Sequence, residues 1–178
     1  CATALPQMRL KWHYRSRHEE LITFSNKHFY DGDLVTFPSS GQGELDAGVD
    51  YYFAGGRYEQ KSATNKIEAD YVVDLIFRHI DLHPDRSLGV VAFSTAQQEM
   101  IEKLLQKRRL LDPSREAFFH SDCEEPFFIK NLETVQGDER DTIIFSVAYA
   151  YNDEGKLLLN FGPLNRAGGE RRLNGAST

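Results

Sequence analysis

Apolar positions along this chain switch between two periods, and the switching predicts its elements. Leu88 to Phe93 reads LGVVAF, and Thr142 to Val147 reads TIIFSV, two runs that are almost wholly apolar. Such runs fit strands covered on both faces, as in a parallel sheet. Shorter runs predict two further strands, at Val49–Ala54 and Phe127–Ile129. Elsewhere the spacing becomes helical. Leu21, Ile22, Phe24, His28 and Phe29 mark a helix over Arg17–Tyr30. Ile67, Tyr71, Val72, Leu75, Ile76 and Ile80 form one stripe over Thr64–Ile80, and Met100, Ile101, Leu104 and Leu105 do so over Ala96–Arg109. Strands alternating with helices predict a three-layer α/β domain with a mostly parallel sheet. In such a sheet ligands gather at the carboxyl ends of the strands, so Arg15 and Glu139 are expected on one edge.

Polar residues punctuate the pattern. Ser16 with Glu19 forms a capping box before the first helix, and Asp31-Gly32 ends it. Pro38 to Gly48 reads as an exposed loop, Gly55-Gly56 and Pro84-Asp85 as turns. Asn152 to Gly155 is a turn that opens a hairpin into Lys156–Asn160. Asn65 and Glu68 at the second helix are read as a cap and a solvated face. Arg108 and Arg109 complement the end of the third. Asp122 to Glu125 follows no apolar strand and reads as a solvated loop.

The length of 178 residues suits one domain with a proper core. A net charge of −6 argues against an isolated, tight nucleic-acid binder, yet leaves room for one local patch. Two cysteines, Cys1 and Cys123, make neither a disulfide framework nor a zinc site, which suits a reducing cytoplasm. No apolar run approaches membrane-spanning length, and no signal peptide is evident.

Three stretches carry candidate chemistry. Gln136-Gly137-Asp138-Glu139 leads into an apolar strand, where glycine lets the backbone approach a ligand and a carboxylate can hold a ribose hydroxyl. Ser94-Thr95-Ala96-Gln97-Gln98 joins a strand to a helix, a turn that offers backbone N–H groups and hydroxyls to phosphate. The plainer reading is that Ser94 or Thr95 caps the helix. Tyr14-Arg15 pairs an aromatic face suited to a base with a guanidinium that grips phosphate oxygens. Packing and a surface ion pair are the plainer alternative there.

Taken together these blocks resemble the superfamily 1 helicases, in the branch related to the RNA-decay helicases and its large bacterial members. TVQGDERDTIIFS resembles their motif V, and WHYRSRHEELITFSNKHFYDGDL resembles the block with a Tyr-Arg pair, a helix and FY-x-G-x-L. The segment from Phe161 to Asn174 is similar to the lead-in to motif VI. The resemblance runs from Arg9 to Asn174 and implies residues 1–178 are a second RecA-like motor domain, ended before the motif VI arginines. It implies that Tyr14 stacks on adenine, that Arg15 reaches the triphosphate, and that Gly137 and Glu139 meet the ribose side. Ser94, Thr95 and Gln98 would touch a single-stranded DNA or RNA backbone, and Thr134 and Gln136 would couple nucleotide to strand. The usual turn reads Thr-Pro-Tyr-x-x-Gln. Set against Phe93 to Gln98, only Gln98 keeps the residue type.

The sequence holds no G-x-x-x-x-G-K-[ST] and no acidic box after a strand. In the family both belong to a first RecA-like domain, which would hold Mg²⁺ and share ATP with this one. The resemblance therefore implies a chain inactive by itself. Two other readings stand beside it. Asp141 with Glu154-Gly155-Lys156 would suit a metal-dependent nuclease if all lay on one face. A non-catalytic interaction domain of nucleotide-binding ancestry would lack a P-loop in the rest of the protein.

Overall fold

The computed structural model describes residues 12–13, 22–23, 26–27, 35–36, 48–120, 125–152 and 155–156. The chain divides into two compact units, Cys1–Tyr52 with Ser177–Thr178, and Phe53–Ala176. In the first, β1 (Trp12–His13) pairs in parallel with β2 (Val35–Thr36). Residues 22–23 and 26–27 are helical, within the span expected for the first helix, and Ile22 is buried.

The second unit holds α1 (Lys66–Leu82), β3 (Leu88–Ala92), α2 (Thr95–Leu111), a 3-10 helix (Pro113–Phe119), β4 (Phe128–Asn131) and β5 (Thr142–Ser146). The sheet is parallel throughout, in the order β4-β3-β5. Central β3 is buried at all five positions, as its unbroken apolar run predicts. Alternation sends Leu88, Val90 and Ala92 to one face, where Ala69, Val72, Ile76 and Ile80 of α1 and Ile101 and Leu105 of α2 meet them. Val91 packs on the other face with Phe128, Leu132 and Val135. One helical layer on a parallel sheet is the expected α/β build. The third layer does not fall among the described residues.

Three expectations change. Val49–Ala54 is not a strand, since Val49, Tyr51 and Phe53 are all exposed and no ladder partner is found among the described residues. The stripe on α1 is rotated. Ile67 is exposed, Tyr71 and Leu75 are half-buried, and Ala69, Val73 and Phe77 replace them inside. Asn65 sets this phase, because its side chain accepts from the Glu68 N–H and fixes where the helix starts. Arg108 and Arg109 do more than face a dipole. Arg108 pairs with Asp74 at 2.7 Å and Arg109 with Glu116, and both guanidiniums lie over aromatic rings, Phe77 and Phe119. Among the described residues no helix is long and apolar enough to cross a membrane.

His79 near the end of α1 is buried, and desolvation lowers its pKa despite a hydrogen bond between Nε2 and the Arg86 carbonyl. The neutral ring is thus the form that fits this core.

At Gly89 the central strand is met closely by side chains of both its neighbours, β4 and β5. A Cβ there would strike the Phe128 ring and come within 2.9 Å of Ile143 Cδ1. The ring has little room to move, since Lys130 and Arg140 both lie over it. Gly89→Ala is therefore expected to destabilise the chain by about 1–3 kcal/mol, the usual cost of overpacking. Thermal unfolding would show a lowered midpoint, partly restored by adding Phe128→Leu. An unchanged midpoint in Gly89→Ala would contradict this packing.

Candidate nucleic-acid and nucleotide interface

Three strands end side by side at Asn131, Ala92 and Ser146, and a set of hydrogen-bonded polar side chains lies there. Beyond β3, Ser94 caps α2, its hydroxyl accepting from the Gln97 N–H at 3.2 Å. The capping reading thus holds for Ser94. Thr95 is exposed at the first turn. Gln98 donates to Glu102 at 2.9 Å and to the Ile129 carbonyl at 3.2 Å.

Asn131, at the end of β4, joins the two loops. Its Nδ2 donates to Gln98 Oε1 at 3.0 Å and to Thr95 Oγ1 at 3.4 Å. Its Oδ1 accepts from the Glu133 N–H, and its backbone carbonyl accepts from the Thr134 N–H at 3.0 Å. Thr134 Oγ1 in turn accepts from the Asn131 N–H. Thr95, Gln98 and Thr134 are thereby held in one cluster. Sequence reasoning passed over Asn131; its place at the end of a strand was the available signal.

Behind this surface lies a buried polar network. Gln97 is fully buried. Its Oε1 accepts from the Asn65 N–H at 2.9 Å, and its Nε2 donates to the Asn65 carbonyl and to Ser146 Oγ, each at 3.2 Å. Asn65 Nδ2 donates to the Gly55 carbonyl. Glu68 Oε1 accepts from Ser146 Oγ at 2.7 Å and from the Ala148 N–H at 2.8 Å. Glu68 is therefore a clamp on the end of β5 as well as a first-turn residue. Gln97, Asn65 and Ser146 are satisfied by one another, as buried polar groups must be. Gly56 stands beside them at φ +87°, where a Cβ would collide with Asn65 Oδ1.

The Gln136–Glu139 stretch lies elsewhere. Val135 is buried against the sheet face opposite the helices, and Gln136, Gly137 and Glu139 are exposed. Gly137 has φ +90°, with open space where a side chain would be. Asp138 pairs with Lys130 at 2.5 Å. Arg140 donates to the Pro126 carbonyl, just before β4. Asp141 accepts from the Ser87 N–H just before β3, at 3.0 Å. The segment thus runs from the carboxyl end of β4 back to the amino end of β5. Glu139 lies toward the amino end, which corrects the expectation of a carboxyl-edge position. Tyr14 and Arg15 lie outside the described residues.

Asp141 is also distant from the turn at Gly155-Lys156. That turn is closed by Asn152, past the carboxyl end of β5, whereas Asp141 precedes its amino end. A five-residue strand, about 16 Å long, separates them. The face a nuclease would need is not formed by these two segments, and Glu154 lies outside the described residues. No group of three potential metal ligands occurs among the described residues.

Beyond β5, Tyr58 and Tyr149 pack ring to ring at 5.3 Å, and burial raises the pKa of both phenols.

A parallel sheet backed by paired helices, with polar turns at its carboxyl edge, is the build of an α/β domain of the RecA-like type. The chain belongs to the AAA domain family, whose profile matches residues 2–178. It is 36% identical over 172 residues to an uncharacterized ATP-dependent helicase of Mycoplasma genitalium, covering 95% of this chain and 15% of that protein. It is 34% identical, with the same coverage, to the homolog of that protein in Mycoplasma pneumoniae. The chain thus spans about 15% of the length of these curated relatives.

Gln97 and Gln98 make the sharpest contrast in this site. Gln97→Leu strips the buried Asn65 N–H of its partner and leaves the Asn65 carbonyl only its helical bond from the Ala69 N–H, and is expected to cost about 2–3 kcal/mol. Gln98→Ala, at the solvent side, is expected to cost less than about 1 kcal/mol. Urea unfolding of both variants checks the order; equal costs would contradict the assigned network.

Proposed function

We propose that this chain is the second motor domain of an ATP-driven helicase or translocase that acts on single-stranded nucleic acid. The observation that carries the reading is the cluster of Thr95, Gln98, Asn131 and Thr134 at the carboxyl ends of β3 and β4. Hydroxyls and amides held in one row suit the sugar–phosphate backbone, which is read without regard to sequence. Ser94 and Gln136 flank the same row in the chain. The membership in the AAA domain family and the likeness to two uncharacterized ATP-dependent helicases support the assignment.

The nucleotide side is assigned to Tyr14, Arg15, Gly137 and Glu139. An exposed loop with open space at Gly137 and an exposed carboxylate two residues on fits a ribose hydroxyl. Bound ATP would supply a triphosphate whose hydrolysis changes the spacing of two motor domains. This chain's residues would hold the base at Tyr14, the phosphates at Arg15 and the sugar at Glu139. Mg²⁺ and the P-loop belong to the first RecA-like domain, the partner this reading requires. The protein would work in the cytoplasm, and the present chain alone would neither hydrolyse ATP nor unwind duplexes.

Steady-state ATPase activity of the full-length protein tests the reading, with and without single-stranded DNA or RNA, beside Arg15→Ala. Stimulation by a strand, with kcat lowered by about 100-fold or more in the variant, is expected for a lost phosphate contact in the transition state. Strand-independent activity unaffected by Arg15→Ala would overturn it, as would vigorous ATPase activity in the isolated chain.

A further inference from the structure

We propose that Tyr151, with the Tyr58–Tyr149 pair beside it, forms a platform on which bases of the single strand stack. The proposal rests on the strand-binding reading above and adds to it a second, aromatic half of the interface.

These rings stand just past the carboxyl end of β5. Tyr58 donates its backbone N–H to the Tyr151 carbonyl at 3.2 Å, so the segment holding Tyr58 lies alongside the one holding Tyr151. The Tyr58 and Tyr149 rings lie 5.3 Å apart, tilted by 35°. Tyr151 is 61% exposed, and Phe53, two residues before Gly55, is 83% exposed. The half-buried Tyr58–Tyr149 pair thus has an exposed ring on the adjoining backbone at Tyr151.

The backbone that carries these rings is fixed from both sides. Ala148 is buried, yet has φ +67°, a conformation that residues with a Cβ rarely adopt. The Glu68 carboxylate holds it there by accepting the Ala148 N–H, while accepting from Ser146 as well. Backbone strain retained in this way clusters where a side chain must be aimed. On the far side Asn152 is buried and closes its turn with Lys156 through two hydrogen bonds, at 3.0 and 2.8 Å. Tyr149 and Tyr151 therefore sit on a rigid ledge, and stacking on them costs little ordering.

Position selects the ligand. The ledge continues the row of Thr95, Gln98, Asn131 and Thr134 along the same edge. Strands β4, β3 and β5 are neighbours, so the ends of β4 and β5 are about 10 Å apart. A strand laid along that edge would meet hydroxyls and amides on β4 and β3 and aromatic rings beyond β5. Backbone contacts beside a run of aromatic faces are how single strands are held without sequence preference. Arg57 and Lys156 bring positive charge to the same segments.

The test measures binding of the full-length protein to two fluorescent oligonucleotides of one length, oligo-dT and a strand rich in abasic sites. Stacking is expected to make oligo-dT bind tighter by on the order of tenfold. Tyr151→Ala should remove much of that difference, Tyr149→Ala should do likewise, and Tyr149→Phe should keep it. Tyr151 is exposed, so its variant decides the matter even if Tyr149→Ala fails to fold. If wild type discriminates but Tyr151→Ala discriminates equally well, the platform is overturned, and the rings are left as a surface for a protein partner. If the wild type binds both strands equally, stacking is overturned while strand binding stands. If it binds neither, the strand-binding reading falls, and the platform with it.

Discussion

One buried amide shapes the edge on which this account depends. Gln97 sits on the first turn of α2, where a helix meeting a sheet would ordinarily show an apolar side chain. Its amide instead bonds both backbone groups of Asn65 and reaches Ser146. It thereby ties the starts of both helices to the end of β5. In a low-dielectric interior, such a network has one good arrangement, and any shift leaves a polar group unpaired. The turns that leave the sheet are consequently set in place from behind. Glu68 extends the same control to Ala148, and Asn131 extends it across the surface to Thr134.

The sequence revealed the sheet more readily than the site. LGVVAF is unbroken because both faces of β3 are covered, and burial on two sides leaves a plain mark; TIIFSV reads alike, but β5 is only half-buried from Thr142 to Phe145. VDYYFA looked similar but carries aromatic rings that face solvent, and composition alone does not tell a buried ring from an exposed one. The α1 stripe was misphased because Ile67 resembled a core residue while Ala69 carried no weight. Helix phase was set by Asn65, whose capping role was legible but whose burial was not. Gln97 escaped notice for a related reason: a glutamine among polar neighbours reads as surface, and Gln98 beside it drew attention as the residue that matched the family pattern. Ser94 and Thr95 were read from the strand–turn–helix unit, which places small polar side chains at the carboxyl edge, whereas Gln98 and Thr134 were read from the family resemblance. The position of Glu139 was misjudged because that rule ignores a crossover that returns along the sheet face.

The structure therefore separates two polar surfaces. Hydroxyls, amides and tyrosines gather at the carboxyl edge, supported by buried partners. The Gly137–Asp141 segment returns along the open face toward the amino edge, pinned by Lys130, Pro126 and Ser87. Both begin at Asn131, where β4 ends and the crossover starts.

Photo-crosslinking tests the central claim most directly, namely that a single strand lies on the carboxyl edge. Oligonucleotides bearing 4-thiouridine would be bound to the full-length protein, irradiated, and the attached peptides identified by mass spectrometry. The account predicts crosslinks in the segments containing Thr95 and Gln98, Asn131 and Thr134, and Tyr149 and Tyr151. Crosslinks confined instead to the outer helical surface around Asp74, Arg108 and Arg115, with none at those three segments, would contradict it.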